Sequence, residues 1–160
     1  MSVWAALAGG FVGTLVLTTM LSTASELGLT RMDLPFLLGT ISSSDRSRAK
    51  AVGYAMHFAF GQLFALVYFL VFSALGESGW GLGALFGLVH GLFVSIALVN
   101  VLLPAIHPRM GTPSSSAADR PLLEPPGFLM LNYGRRTPAV TIAGHIAYGA
   151  IIGGFLSIAG

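Results

Sequence analysis

The chain has 160 residues, of which 8 are Lys or Arg and 6 are Asp or Glu, so only 9% are charged. An average soluble domain has about 25% charged residues. Hydrophobic residues make up 54% of the chain, and the mean hydropathy is +0.81. These values exclude a soluble globular domain, a disordered chain and a nucleic-acid-binding protein. They indicate an integral membrane protein.

Four long segments without a charged side chain divide the sequence. They are residues 1–25, 51–76, 78–108 and 137–160. Each segment is long enough for one helix to cross the bilayer and too short for two. The sequence therefore predicts an all-α, up-down four-helix bundle that forms a single transmembrane domain over residues 1–160. The predicted spans lie near Val3–Leu27, Ala51–Leu75, Gly81–Leu103 and Pro138–Ala159.

All eight basic residues fall in the two predicted loops, residues 28–50 and 104–137. In a chain with four spans these loops lie on the same side of the membrane, and loops rich in Lys and Arg stay in the cytoplasm. We therefore expect both termini outside. The first span lacks a basic start and is longer than the apolar part of a usual signal peptide, so we expect it to remain as a span.

Two stretches of the sequence match each other when it is shifted by 88 residues. Residues 48–61 then align with residues 136–149, and seven of the fourteen positions are identical. The identical pairs include His57 with His145 and Gly61 with Gly149. This match suggests two duplicated helix hairpins, in which the second and fourth spans face each other across the core.

Glycines recur at four-residue spacing in the predicted spans, a pattern that lets membrane helices approach closely. The predicted packing positions are Gly9, Gly13, Gly53, Gly61, Gly83, Gly87, Gly91, Gly149 and Gly153. Their partner can be another span of the same chain or another protein. Because the glycine surface is extensive and catalytic motifs are absent, the first hypothesis is a non-enzymatic accessory subunit of a larger membrane complex, or a homo-oligomer.

His57 and His145 lie on these small-residue faces, each about seven residues, or roughly 10 Å, inside its span. Ionisable groups within a membrane are costly and are functional candidates, and imidazole is a common ligand of metals and of haem iron. The second hypothesis is therefore a haem, or a similar macrocycle or pigment, with His57 and His145 as axial ligands and His90 nearby. The structural alternative is that each histidine is neutral and bonds a neighbouring helix.

Glu26 and His107 lie near the cytoplasmic ends of the spans. They suggest a non-haem metal site as a weaker alternative. The third hypothesis is a small proton or ion pathway through Glu26 and the histidines of the spans. Asp33 precedes Leu34 and Pro35 and is predicted to cap a short helix rather than to bind a ligand.

The long loop between the third and fourth spans has two parts of different composition. Its first part contains Pro113, Pro121 and Ser114–Ser116 and is expected to be solvated. Its second part, residues 127–134, is apolar and is expected to dock on the bundle or on a partner. No phosphate-binding loop or catalytic triad is recognisable, so no enzyme activity is predicted. The expected partners are the lipid bilayer and another membrane protein, not nucleic acid.

Several short motifs along the chain carry a family resemblance. They are Met32-Asp33-Leu34-Pro35 with Gly39, Met56-His57-Phe58, Leu88-Val89-His90-Gly91 and Gly144-His145. In these motifs the chain resembles the uncharacterised four-helix inner-membrane proteins of bacteria, including the YagU-like group. The resemblance implies a bacterial inner membrane and four helices. It implies no activity and no catalytic residue.

Overall fold

The computed structural model describes residues 1–110 and 123–159. The Ser- and Pro-rich part of the long loop, which was expected to be solvated, lies outside the described residues. Within these residues four helices are long and apolar enough to cross a membrane, which confirms the prediction of an all-α four-helix membrane bundle. In chain order the helices are α1 (Val3–Glu26), α2 (Leu34–Gly39), α3 (Arg46–Leu75), α4 (Trp80–Ile106) and α5 (Thr137–Ile158).

Aspartates cap the N-termini of two helices. The carboxylate of Asp33 accepts a hydrogen bond of 3.1 Å from the main-chain N–H of Phe36 and caps α2. Asp45 accepts a bond of 2.8 Å from the N–H of Arg48 and caps α3. Because Asp45 starts the helix ahead of the apolar segment, α3 begins five residues before the predicted Ala51.

The central helix of the bundle is α5, which packs against α1 on one side and against α4 on the other. α1 also packs against α3, so α3 and α5 lie on the diagonal. The hydroxyl of Tyr148 crosses this diagonal and donates a hydrogen bond of 2.5 Å to the carbonyl of Gly61. We call the end that carries α2 and the long loop the basic end, because it holds every Lys and Arg of the described residues.

The glycine-rich faces pack within the chain. Gly83 and Gly87 of α4 lie so close to the carbonyls of Gly149 and His145 that a methyl group at either glycine would overlap them. The other predicted positions also meet neighbouring elements of the same chain: Gly9, Gly13 and Gly91 meet α5, Gly53 meets α2, Gly61 meets α1, and Gly153 meets the start of α4. The predicted glycine contacts therefore join helices of one copy.

Equivalent positions of the two aligned stretches make equivalent contacts. Gly61 of α3 packs against α1, and Gly149 of α5 packs against α4. Each glycine thus contacts the first long helix of its own half of the chain. The duplication of two hairpins, α1 with α3 and α4 with α5, stays a prediction.

α3 and α4 are close at their shared turn and separate towards the basic end. Near the turn, the ring centroids of Phe72 and Phe86 are 5.2 Å apart, and towards the middle of the helices those of Phe64 and His90 are 4.1 Å apart. Beyond His90, α4 continues as a π-helix over Val94–Leu102, a rare form that is frequent at functional sites. The gap between the two helices forms a cavity.

Candidate ligand-binding site

The cavity between α3 and α4 has a volume of about 440 Å³ and an apolar lining. α1 and α5 form its inner wall, and α2 and Met130 cover its basic end. Among the described residues, no Lys, Arg, Asp or Glu lines it. Four exposed apolar side chains flank its outer side: Phe60, Leu63, Leu102 and Ile106. Such side chains face hydrocarbon in a membrane-spanning helix, so the cavity opens sideways into the bilayer.

Three histidines from three different helices line this one cavity. They are His57 of α3, His90 of α4 and His145 of α5. The rings of His90 and His145 meet edge to face, with centroids 4.8 Å apart. The side chains of His57 and His145 are buried, at 8% and 6% exposure. The residues predicted to bind a cofactor therefore lie together.

The hydrogen bond of His145 determines which of its ring nitrogens carries the proton. Its Nδ1 lies 2.8 Å from the carbonyl oxygen of Thr141. A carbonyl oxygen only accepts, so Nδ1 is the donor and Nε2 of the neutral ring is a bare acceptor. In the described part of the chain, the bond to Thr141 is the one hydrogen bond that the ring makes, and it leaves that Nε2 without a partner.

A hydrogen bond with a threonine gives His57 the same tautomer, with the proton on Nδ1. The hydroxyl of Thr18 donates to the carbonyl of Thr14 at 2.7 Å, which uses its single hydrogen. Nδ1 of His57 lies 3.1 Å from that hydroxyl oxygen, so the ring nitrogen is the donor of this second bond. Nε2 of His57 is therefore also a bare acceptor, and the described residues provide no partner for it.

Further polar groups of the cavity lining are buried without a partner in the described residues. They are both ring nitrogens of His90 and the hydroxyl oxygen of Thr141. An unsatisfied buried group costs about 1–3 kcal/mol, and native proteins keep few of them. Their concentration around one cavity favours a functional site over simple packing.

The predicted metal pair, Glu26 and His107, finds no support in the geometry. Glu26 is exposed at the end of α1. Both ring nitrogens of His107 are in use: Nε2 donates to the carbonyl of Leu37 at 3.1 Å, and Nδ1 accepts from the N–H of Arg109 at 3.1 Å. Within residues 1–110 and 123–159, no three His, Asp or Glu side chains are grouped as a metal site requires.

His107 instead ties α2 to the end of α4, and this contact should depend on pH. Burial lowers the pKa of His107, and the Arg109 charge adds to the effect, although the bond to Leu37 opposes it. The His107 ring thus stays neutral in the folded protein, while in the unfolded chain it takes up a proton near pH 6.5. The contribution of His107 to the free energy of unfolding is therefore fully present above that pH and is lost as the pH falls below it.

We therefore expect His107→Gln to reduce the pH dependence of folding. Unfolding by SDS titration at pH 7.5, 6.5 and 5.5 should show wild type losing more free energy of unfolding on acidification than the variant. Equal losses in both proteins would contradict the role given to His107.

A second, smaller cavity of about 240 Å³ lies on the other side of α2, at the surface of the basic end. Its lining is charged and includes Arg31 and Glu124, whose side chains are 3.2 Å apart. Met32 lines both cavities and is 2% exposed. Met32 and α2 therefore separate the apolar cavity from the charged surface.

Three parts of the site were missed in the sequence: Thr18, Met130 and the π-helix. Thr14 and Thr18 are spaced four residues apart on α1, which was a usable signal for a polar stripe facing the core. Met130 lies in the loop segment that was expected to dock, and the structure places it, fully buried, on the cavity. The π-helix had no clear signal beyond the nearby Pro104, which lacks the main-chain N–H of a regular helix.

No curated protein and no solved structure matches the chain. The model of a family of unknown function, DUF6789, matches residues 1–116. This range contains α1 to α4, and with them His57 and His90, but it does not contain His145. The expected membership of an uncharacterised family is confirmed at this level, whereas the likeness to the YagU-like group stays a prediction. The match covers more than half of the sequence, and the chain therefore belongs to DUF6789, a family of unknown function.

Proposed function

We propose that this protein is a non-enzymatic, multi-pass membrane protein that binds an uncharged, membrane-soluble ligand in the cavity between α3 and α4. The observation that carries the proposal is the pair of bare imidazole acceptors, on His57 and His145, in an apolar cavity open to the bilayer. A volume of about 440 Å³ falls within the usual range of about 300–1,000 Å³ for ligand sites. Ligand sites combine apolar walls with a few polar groups that fix orientation, as this cavity does.

A haem or similar macrocycle is the second candidate ligand. A metal-binding histidine usually donates its other N–H to a carbonyl or a comparable group, which leaves one nitrogen free for the metal. His145 and His57 both have this arrangement. They would hold the metal of such a macrocycle, as the sequence suggested. The propionates of a haem would have to lie outside the cavity, because no Lys or Arg of the described residues lines it. The edge-to-face contact of His90 with His145 supports a role for His90 in the wall rather than as a third ligand.

The other two sequence hypotheses have less support. The glycine faces that motivated an accessory subunit or a homo-oligomer are occupied by helices of the same chain. The ion pathway included Glu26, which is exposed at the end of α1 and does not line the cavity. Membership of a larger complex would therefore have to use the apolar outer faces instead.

For the location we propose the inner membrane of a bacterium, with the basic end in the cytoplasm and both termini outside. The support is the charge distribution, because every Lys and Arg of the described residues lies at one end of the bundle. Basic residues stay on the cytoplasmic side of such proteins.

Filling the cavity should abolish ligand binding. Leu98 lines the cavity and is half-buried, so Leu98→Trp would occupy part of its volume. Native mass spectrometry of the protein in mild detergent, mixed with the neutral-lipid extract of its expression membranes, should show one retained ligand on wild type. The variant should lose it.

The matched control is Leu85→Trp, which adds the same side chain to an exposed site on the same helix, away from the cavity. It should retain the ligand. A visible spectrum of the same sample separates the two candidates, because a haem gives an intense Soret band and an uncharged lipid gives none. Equal binding by wild type and Leu98→Trp would exclude this cavity as the site.

A further inference from the structure

We infer that the ligand is a membrane quinol, that is, a neutral aromatic diol with a hydrocarbon tail, whose two hydroxyl groups donate to His57 and His145. This inference rests on the proposed function and names the ligand class of the same cavity. It follows from the charge, the hydrogen-bonding groups and the aromatic walls of the cavity.

The lining excludes charged headgroups. No Lys, Arg, Asp or Glu of the described residues lines the cavity, so nothing there would neutralise a phosphate or a carboxylate. Transfer of an unpaired ionised group into an apolar site is very costly. Phospholipids and fatty-acid anions are therefore poor ligands, and the polar part of the ligand is neutral.

The imidazole acceptors of His57 and His145 require donors on the ligand. The unpartnered nitrogens of His90 and the hydroxyl oxygen of Thr141 have almost no accessible surface from which to reach it. Nε2 of His57 and Nε2 of His145 are both acceptors, because each Nδ1 donates its proton within the protein. The two rings belong to α3 and α5, which meet across the middle of the bundle, where Tyr148 bonds Gly61 about one turn away from both histidines. A lipid with one hydroxyl group satisfies one acceptor, whereas a diol with its hydroxyl groups at opposite ends of a ring can satisfy both.

Aromatic side chains favour a flat ring at this position. Phe64, His90 and Tyr148 line the cavity beside the two acceptors. The centroids of the His90 and Phe64 rings are 4.1 Å apart, and those of His90 and Tyr148 are 5.8 Å apart. Rings in such clusters gain energy from stacked and edge-to-face contacts. A tail attached to the ring would leave between Phe60 and Leu102 into the hydrocarbon.

The same geometry predicts discrimination between the two redox forms of one molecule. A quinone has carbonyl oxygens in place of the hydroxyl groups and therefore presents only acceptors to the two imidazoles. It would lose both hydrogen bonds while keeping its tail and most of its shape. With about 1 kcal/mol for each net hydrogen bond, we expect the quinol to bind at least tenfold more tightly than the quinone.

The test is a comparison of a decyl-substituted benzoquinol with the matching quinone. Affinities are measured by anaerobic titration of the 160-residue protein in mild detergent. Absorbance is recorded as a check that the quinol has not been oxidised. Wild type should prefer the quinol at least tenfold. His57→Leu and His145→Leu should each weaken quinol binding about fivefold and leave quinone binding nearly unchanged. Leu85→Trp, on the exposed surface away from the cavity, should behave as wild type.

The outcomes separate this inference from the proposed function. Equal affinities for the two forms, or preference for the quinone, would overturn the quinol assignment. If Leu98→Trp then still abolished binding of both, the cavity would remain the binding site for another neutral ligand. If neither form bound and no membrane extract supplied a ligand sensitive to Leu98→Trp, the proposed function would fail as well.

Discussion

Replacement of Gly53 by alanine is expected to lower the free energy of unfolding by about 2–3 kcal/mol, the upper part of the range for overpacked sites. The added Cβ would overlap the main-chain carbonyl of Pro35 in α2, and a carbonyl in a helix cannot rotate away. A second glycine, Gly39 of α2, lies as close to the carbonyl of Ala49 in α3. The two helices therefore touch backbone to backbone at two points, and neither contact can relax independently.

The loss of this contact should expose the cavity at its basic end. α2 covers that end with Leu34 and Leu38, and His107 holds the helix from the other side. The chain contains no cysteine, so a single Leu38→Cys substitution gives an unambiguous probe. In the Gly53→Ala background, a water-soluble maleimide should label this cysteine at least tenfold faster than in the otherwise unchanged protein.

Gly81→Ala provides the control for the stability measurement. Gly81 lies in the first turn of α4, and nothing stands within 4 Å of the position a Cβ would take. Alanine in a helix is favoured over glycine by about 0.8–1.0 kcal/mol, so this variant should be as stable as wild type or slightly more stable in an SDS titration. If both variants behaved alike, α2 could not be packed on α3 as described.

The four spans were predictable because the cost of burying charge in a bilayer leaves a direct trace in the sequence. Charged residues cannot enter a span cheaply, so the uncharged segments mark the helices almost to the residue. The prediction was least accurate at the start of α3, where Arg46, Arg48 and Lys50 are helical. Hydropathy measures immersion in the membrane, whereas the helix begins where Asp45 caps it.

The candidate site was only partly predictable. The repeat aligned His57 with His145 and suggested one depth for both, and the structure brings both to one cavity together with His90. The cavity itself was not foreseen, because it depends on how far α3 and α4 separate between Phe64 and the basic end. That separation is a tertiary property of aromatic packing and of the π-helix, and neither has a reliable sequence pattern.

The glycine pattern illustrates a different limit. Glycines at four-residue spacing identify a helix face to which the backbone of another helix can come close. The pattern is the same whether that helix belongs to the same chain or to another copy. Gly83 and Gly149 each lie against the other's carbonyl region. Only the three-dimensional structure shows that α5 of the same chain occupies the face.

Gly87→Leu is therefore expected to have the largest effect on both stability and binding. Even a Cβ at this position would overlap the carbonyl of His145, and the remaining carbons of leucine would meet the α5 backbone. Because α4 and α5 form the most extensive helix contact of the bundle, we expect a loss of about 3 kcal/mol or more in an SDS titration. His145 would also move away from His90, so the cavity ligand should be lost.

The same substitution distinguishes packing within the chain from packing between copies. If the α4 glycines joined two copies, Gly87→Leu would leave each monomer folded and reduce only the particle mass measured by light scattering in detergent. If they hold α5 within one copy, the mass of the protein component stays constant while resistance to SDS falls. Gly81→Leu places the same side chain on the open surface of α4 and should change neither quantity. A folded Gly87→Leu protein that still bound ligand would contradict the described contact between α4 and α5, and with it the position assigned to His145.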